Sequence, residues 1–282
     1  MERGRQMIKI SIQGARGSFH DIVARHKFPG DSEIIESNTS HQVFEDVKKG
    51  LADYGVVAIE NSLYGSFLEN YDNLLNYESK IVGETYLHVI LNLIALPGVK
   101  MEQIREVYTH PIAMIQAESF LEKHPSVIRI ESHDTAGSVR MIKEKSLKTA
   151  AAIGSNLAAQ LYDMKILAKD IETEKQNYTR FLIIAKEPKY PPQANKTSLA
   201  IKAENNAGSL YKCLKCFYDQ GINLSKIESR PIMGRTWGYY FYLDFERGLN
   251  TPETQRALKE LEKVTESIHI LGSYEQGKVF EE

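Results

Sequence analysis

Ile8, Ile10 and Ile12 alternate with polar neighbours and predict a strand over residues 7–12. Gln13-Gly14-Ala15-Arg16-Gly17-Ser18 breaks the alternation, and residues 19–28 read as a helix. A second strand falls at 34–37. After it, Ser40 reads as the cap of a helix whose Val43, Phe44, Val47 and Leu51 recur at helical spacing. Gly55-Val56-Val57-Ala58-Ile59 is continuously apolar, as strands buried on both faces of a parallel sheet are. It ends in Glu60-Asn61-Ser62-Leu63-Tyr64-Gly65, a polar turn into a helix running through Leu75. The β-rich stretch 81–96 predicts two strands, or one long strand crossing between lobes. Further strands are expected at 106–109, 127–130, 149–153, 166–168 and 179–186, with helices reaching Leu121, Lys145 and Tyr162 after the first three.

Strand, polar turn and helix in repeated alternation describe an α/β fold with a mostly parallel sheet. Ligands of such sheets sit beyond the carboxyl ends of the strands, at helix N-termini whose unpaired N–H groups favour anions. Five turns here hold small or hydrogen-bonding residues: 14–18, 61–62, 109–110, 132–135 and 154–156. One such turn is ordinary capping. Five, with few acidic residues among them, predict a small anionic ligand, and the interposed stretch 81–96 suggests that two lobes share it.

Pro188, Pro191 and Pro192 mark residues 187–196 as a linker, because proline sustains neither a helix interior nor a central strand. The pattern then changes to strand 197–202, helix 208–220 with Leu210, Leu214 and Phe217 on one face, and strands 222–230 and 237–245. Helix 252–264 and strand 267–272 complete it. That βαββαβ order is the ferredoxin-like α+β plan.

Composition removes several classes of function. A chain of 282 residues suffices for about two domains, and 42% hydrophobic with 26% charged residues is usual for a globular protein. A net charge of -2 leaves no basic excess for nucleic acid, and no apolar run approaches the ~18 residues of a membrane span. Met1-Glu2-Arg3-Gly4-Arg5-Gln6 lacks the apolar centre of a signal peptide; Met7 is an equally plausible start, and residues 1–6 read as an extension without structure. Cys213-Leu214-Lys215-Cys216 has no second pair and no nearby histidine. Its cysteines read as small apolar helix residues in a reduced, cytoplasmic setting rather than as metal or redox groups.

The last strand before the linker opens with Asn177-Tyr178-Thr179-Arg180-Phe181. Alternation puts Thr179 and Phe181 on one side and Arg180 on the other. Thr supplies a hydroxyl that donates and accepts, and Arg a planar fork suited to carboxylates. Alone, this reads first as a strand start that happens to carry a Thr and an Arg. Beside it stand Gly14-Ala15-Arg16-Gly17-Ser18-Phe19, Ile59–Gly65, His110-Pro111-Ile112-Ala113-Met114-Ile115-Gln116, the Asp134-Thr135-Ala136 turn and Ile227-Glu228-Ser229-Arg230-Pro231. Together, in order and over nearly the whole chain, these motifs resemble the prephenate dehydratase family. Residues 7–186 are similar to its catalytic domain, two-lobed in the manner of type II periplasmic binding proteins. Residues 197–275 resemble the ACT regulatory domain that follows it.

The resemblance implies conversion of prephenate to phenylpyruvate, water and carbon dioxide, with no metal or organic cofactor because aromatisation drives the chemistry. It implies catalytic roles for Thr179, Arg180, Phe181, Asn61 and Ser62. It implies substrate contacts from Gly17, Ser18, Glu60, Gly65, His110, Gln116, Asp134 and Thr135, although His110 beside Pro111 also reads as a helix cap. The ACT resemblance implies inhibition by L-phenylalanine bound at a subunit interface by Ala207, Gly208, Ser209, Leu210, Asn223, Leu224, Ser225, Glu228 and Ser229, in a homodimer or a dimer of dimers. The family's Pro-Gly-Ala-Leu turn stands here as Ala207-Gly208-Ser209-Leu210, which puts the affinity of that site in question. Two other readings stay open: arogenate dehydratase, whose substrate exchanges the ketone for an amino acid, and a non-catalytic small-acid binding protein with an amino-acid sensor.

Overall fold

A computed structural model describes residues 7–282, so the extension expected over residues 1–6 lies outside the described residues. The chain opens with β1 (Ile8–Gln13), α1 (Phe19–Lys27), β2 (Ser32–Ser37), α2 (Ser40–Lys49), β3 (Tyr54–Asn61), β4 (Gly65–Ser66) and α3 (Leu68–Asn76). The stretch 81–96 is two strands, β5 (Lys80–His88) and β6 (Asn92–Ala95). After a 3-10 turn at Met101–Gln103 come β7 (Glu106–Thr109), α4 (Pro111–Gln116), α5 (Glu118–Glu122), β8 (Ile128–Glu131), α6 (Thr135–Lys145), β9 (Ala150–Gly154), α7 (Asn156–Leu161), β10 (Lys165–Ala168) and β11 (Tyr178–Ala185). The remainder is β12 (Lys196–Lys202), α8 (Ser209–Tyr218), β13 (Leu224–Pro231), β14 (Tyr239–Phe245), α9 (Pro252–Leu261), β15 (Ser267–Tyr274) and β16 (Val279–Phe280).

Packing divides the chain into two units, one holding the residues up to Phe67 with Thr85–Phe181 and Lys278–Glu282, the other Leu68–Glu84 and Leu182–Gly277. The first unit contains two sheets. In one, the strand order is β2-β1-β3-β11-β5, with β1 parallel to both β2 and β3. In the other, the order is β10-β6-β9-β7-β8; β7 runs parallel to β8 and β9, whereas β6 is antiparallel to β9 and β10. The expected mostly parallel arrangement therefore describes β1–β3, and the second sheet is mixed. β9 is buried throughout, and its small Ala150 and Ala152 let α6 pack closely through Val139 and Ile142.

Three local expectations need correction. Thr39, not Ser40, caps α2, accepting the N–H of Gln42 at 3.1 Å, because the extended residue must precede the first helical one. Leu51 lies past the left-handed Gly50 and is exposed rather than part of the apolar face. The helix expected after His110 is two short helices separated at Ala117.

The second unit has the order β12-α8-β13-β14-α9-β15, with a sheet in the order β13-β14-β12-β15 whose neighbours all pair antiparallel. This is the ferredoxin-like plan. Its core joins Leu199, Ile201, Leu243 and Phe245 of the sheet to Cys213, Cys216 and Phe217 of α8 and to Ala257 and Leu261 of α9. The two cysteines thus form the seam of α8, where Leu210 and Leu214 were expected to lead. Burial pushes the Cys213 thiol up to about 11, so it stays protonated. Within the same unit α3 is tied to β13 by Arg230, whose guanidinium forks onto Asp72. Lys196 Nζ reaches both Glu84 oxygens at 3.0 Å in a fully buried ion pair.

Candidate active site

β3 ends and β11 begins at the same place. The Ser62 N–H donates to the Tyr178 carbonyl at 2.8 Å, the Tyr178 N–H donates to Ser62 Oγ at 2.9 Å, and Ser62 Oγ donates to the Gln176 carbonyl at 2.8 Å. Ser62, expected as a catalytic hydroxyl, therefore has its proton and its acceptor side engaged in this bracket, which sets the position of its neighbour Asn61.

Asn61 Oδ1 accepts the backbone N–H groups of Leu63 and Tyr64 at 3.0 and 2.9 Å. Those two donors decide the orientation of the Asn61 amide, because only its oxygen can accept them. Its Nδ2 then faces β11, donating to Thr179 Oγ1 at 2.9 Å, to Asn177 Oδ1 at 2.8 Å and to the Tyr178 carbonyl at 3.2 Å. Gln116, delivered by the last turn of α4, donates from Nε2 to Asn177 Oδ1 at 3.2 Å and to Asn61 Oδ1 at 3.4 Å. The direction of every amide in the network follows from two backbone N–H groups. Because Thr179 Oγ1 is an acceptor towards Asn61, its own proton remains uncommitted within the network, as does Gln116 Oε1.

Asn177, Thr179 and Phe181 share one side of the chain, and all three are buried. Arg180 is buried on the opposite side, so it is not beside the Thr179 hydroxyl. Glu60 likewise alternates with Asn61 along β3, and Gly65 turns the β3–β4 hairpin with φ +93. At the far end of the Thr179 face, the His20 ring meets Phe181 edge-on at 5.0 Å. Its Nε2 is sealed from solvent without a partner, and burial, aided by nearby His110, lowers its pKa to about 4. His20 was not anticipated, since nothing in its spacing separated it from the ordinary residues of α1.

His110 caps α4, its Nδ1 accepting the Ile112 N–H at 3.2 Å. Burial lowers its pKa, so the ring is neutral with its proton on Nε2. Opposing it, Asp134 caps α6 and accepts N–H groups from Gly137 at 2.6 Å and from Ala15 at 2.9 Å. Burial nevertheless raises its carboxyl pKa. Thr135, next along, is buried in the first turn of α6. Asp134, Ser155 and Tyr162 all grip the 14–17 turn: Ser155 Oγ donates to the Gly17 carbonyl at 2.5 Å, and Tyr162 Oη to that of Arg16 at 2.8 Å. Glycine is required there, because a Cβ on Gly17 would lie 2.7 Å from Ala158 Cα at a backbone φ of +86. Ser18 caps α1 and is 2% exposed. A cavity of about 310 Å³ opens beside this turn, lined by Glu36, Asn38, Ser132, His133, Asp134 and Arg140 among others.

The turn at 154–156 is filled from within the chain. The Glu282 carboxylate accepts the N–H groups of Asn156 and Leu157, so that helix start is closed to another anion in this structure. β16, which the sequence did not announce, brings it there by pairing with Tyr86 and Leu87 of β5, and Phe280 stacks on His26 at 3.7 Å. Two residues of alternation are too few to read as a strand.

In the second unit, Gly208 has φ +85 at the start of α8. The Ser209 N–H and Oγ are both engaged by Asn206, so that N–H is not open to a ligand. Asn223, Ser225 and Ser229 are exposed, Leu224 and Glu228 half-buried, and Asn223 Nδ2 donates to Glu246 at 3.0 Å. Among the described residues no group of three His, Cys, Asp or Glu side chains could hold a metal ion, and no helix is long and apolar enough to cross a membrane.

The family model described as prephenate dehydratase matches residues 10–189. An Arabidopsis thaliana protein named arogenate dehydratase/prephenate dehydratase 2, chloroplastic, is 38% identical over 278 residues, covering 95% of this chain and 72% of its own. The solved prephenate dehydratase of Arthrobacter aurescens, in complex with L-Phe, is 29% identical with a TM-score of 0.86, covering 95% of this chain and 90% of that one. A structure described as GqqA, a novel type of quorum quenching acylase, is 32% identical with a TM-score of 0.87, covering 95% and 98%.

Proposed function

This chain belongs to the prephenate dehydratase family, and from that premise we propose how it converts prephenate to phenylpyruvate. The ring carboxylate leaves as carbon dioxide. Its bonding electrons enter the ring as the opposite carbon–oxygen bond breaks, and the departing hydroxyl gains a proton and leaves as water. Aromatisation drives the step. What the protein must supply is a donor for the leaving oxygen, and the observation that supports this reading is the orientation of Thr179: its oxygen accepts from Asn61, so its proton is available to the leaving group. A threonine hydroxyl is too weak an acid to give up its proton unaided, so it acts as a positioned hydrogen-bond donor and relay, a role worth ~100- to 10,000-fold. Neutral His110, with its proton on Nε2, is a further donor for an anionic substrate.

The ferredoxin-like unit is, in this reading, an ACT domain, with residues 7–186 catalytic and 187–196 linking them. Support comes from the relative solved with L-Phe. Phenylalanine would inhibit by binding at the α8 start and β13, in at least a dimer, in the cytoplasm. Light scattering at micromolar concentration checks the assembly; a 32.0 kDa monomer contradicts it.

The deciding assay offers the purified protein prephenate, arogenate and an acyl amide in parallel. Phenylpyruvate absorbance in alkali reports turnover of prephenate. Turnover of arogenate alone moves the assignment to that substrate, and amide cleavage without turnover of either ring acid overturns it.

A further inference from the structure

Asn177 lies outside the strand that carries Thr179, touches no backbone donor through its side chain oxygen, and is fully buried. Its Oδ1 gathers two amide donors, Asn61 Nδ2 and Gln116 Nε2, while its own Nδ2 is sealed from solvent with no partner. A leucine would occupy similar volume without an unsatisfied donor, so packing alone does not account for an amide here. What the oxygen does is hold Asn61 Nδ2 against Thr179 Oγ1 and bring Gln116 into the same network. We propose that Asn177 is a positioning residue for the dehydration: by fixing the Asn61 amide it keeps Thr179 Oγ1 as an acceptor and turns the Thr179 proton towards the leaving oxygen. This rests on the reading of Thr179 as the donor.

The test uses the full chain with Asn177→Leu, Asn177→Asp, Thr179→Val and the double variant Asn177→Leu/Thr179→Val. Thermal unfolding checks that each is folded. Asn177→Leu is expected to lower kcat about 10- to 100-fold with KM changed less than about threefold, because the interaction acts in the transition state. On the Thr179→Val background the same change is expected to cost less than about twofold, since a residue acting through Thr179 has nothing left to position. Asn177→Asp keeps the accepting oxygen. It can accept from Asn61 Nδ2 and Gln116 Nε2 in either charge state, so its kcat is expected to stay within about threefold of wild type. Additive losses, a kcat within twofold of wild type in Asn177→Leu, or a kcat in Asn177→Asp as low as that of Asn177→Leu overturn the proposal. If Asn177→Leu does not fold, Asn177→Ala takes its place in each comparison. A readout independent of turnover separates this inference from the assigned reaction. The Asn61 side-chain amide signal in nitrogen-15 NMR, identified by its loss in Asn61→Asp, should exchange faster in Asn177→Leu. An unchanged signal overturns the positioning role even if prephenate is turned over normally, and failure of wild type to turn over prephenate overturns the reaction while the amide signal still decides the positioning.

Discussion

In the proposed reaction Thr179 becomes a donor because of what surrounds it. Its hydroxyl is ordinary, but Asn61, held by two backbone N–H groups, occupies its acceptor side. Thr179→Val keeps the β-branched shape suited to β11 and deletes the oxygen. Turnover of prephenate should fall ~100-fold or more with the melting temperature nearly unchanged; steady-state rates and calorimetry check both. His20 makes a different prediction, through linkage. Its folded pKa, about 4, lies below the unfolded value of 6.5, so between these pH values the unfolded chain binds a proton that the folded chain refuses. Stability from this group is complete above pH 6.5 and is lost as pH falls towards 4. Melting temperatures from pH 7 to 4.5 should fall less steeply in His20→Asn than in wild type.

At the scale of elements, the turn between β1 and α1 is where three side chains from β8–α6 and from α7 and its ends converge. The turn can be approached so closely only because Gly14 and Gly17 have no Cβ; one on Gly14 would lie 2.6 Å from the Asp134 carboxylate. Gly17→Ala combines a positive φ with a clash against backbone, and a turn that cannot retreat must break the Ser155 contact. We expect a loss of ~2 kcal/mol or more, the scale of strain combined with overpacking in a tight site, measured by urea unfolding. Ala158 is rigid helix backbone, so a loss below about 0.5 kcal/mol would show that the turn moves freely.

For the whole molecule, the sensor reading concerns control. A ligand shifts a conformational equilibrium only by its difference in affinity for the two states, typically ~1–3 kcal/mol. The sensor reading predicts that phenylalanine lowers turnover without competing with prephenate. Gly208→Val should abolish that response relative to its own uninhibited rate, because φ +85 is strained for a β-branched residue even though the space around the Cβ is open. A phenylalanine titration with calorimetry tests this. A variant that binds and responds normally would place the site elsewhere.

The sequence by itself determined the element order, the change from α/β to βαββαβ and the grouping of Thr179 and Phe181 on one face, and it left 81–96 open between one strand and two. These follow from short-range periodicity, turn chemistry and strand alternation. Asn61, Thr179 and Gln116 were legible through family motifs, and the structure puts them in one network. What only the tertiary structure decided is which side chains far apart along the chain meet. Ser62 turned out to bracket a strand start, Asn177 to gather the amides, and His20 to lie against Phe181; Glu282 fills the α7 start. A hydrogen bond has no periodicity along the chain. Its partners are selected by which buried donors and acceptors packing brings within 3 Å or so of one another, and that is settled only when the sheets and helices are in place.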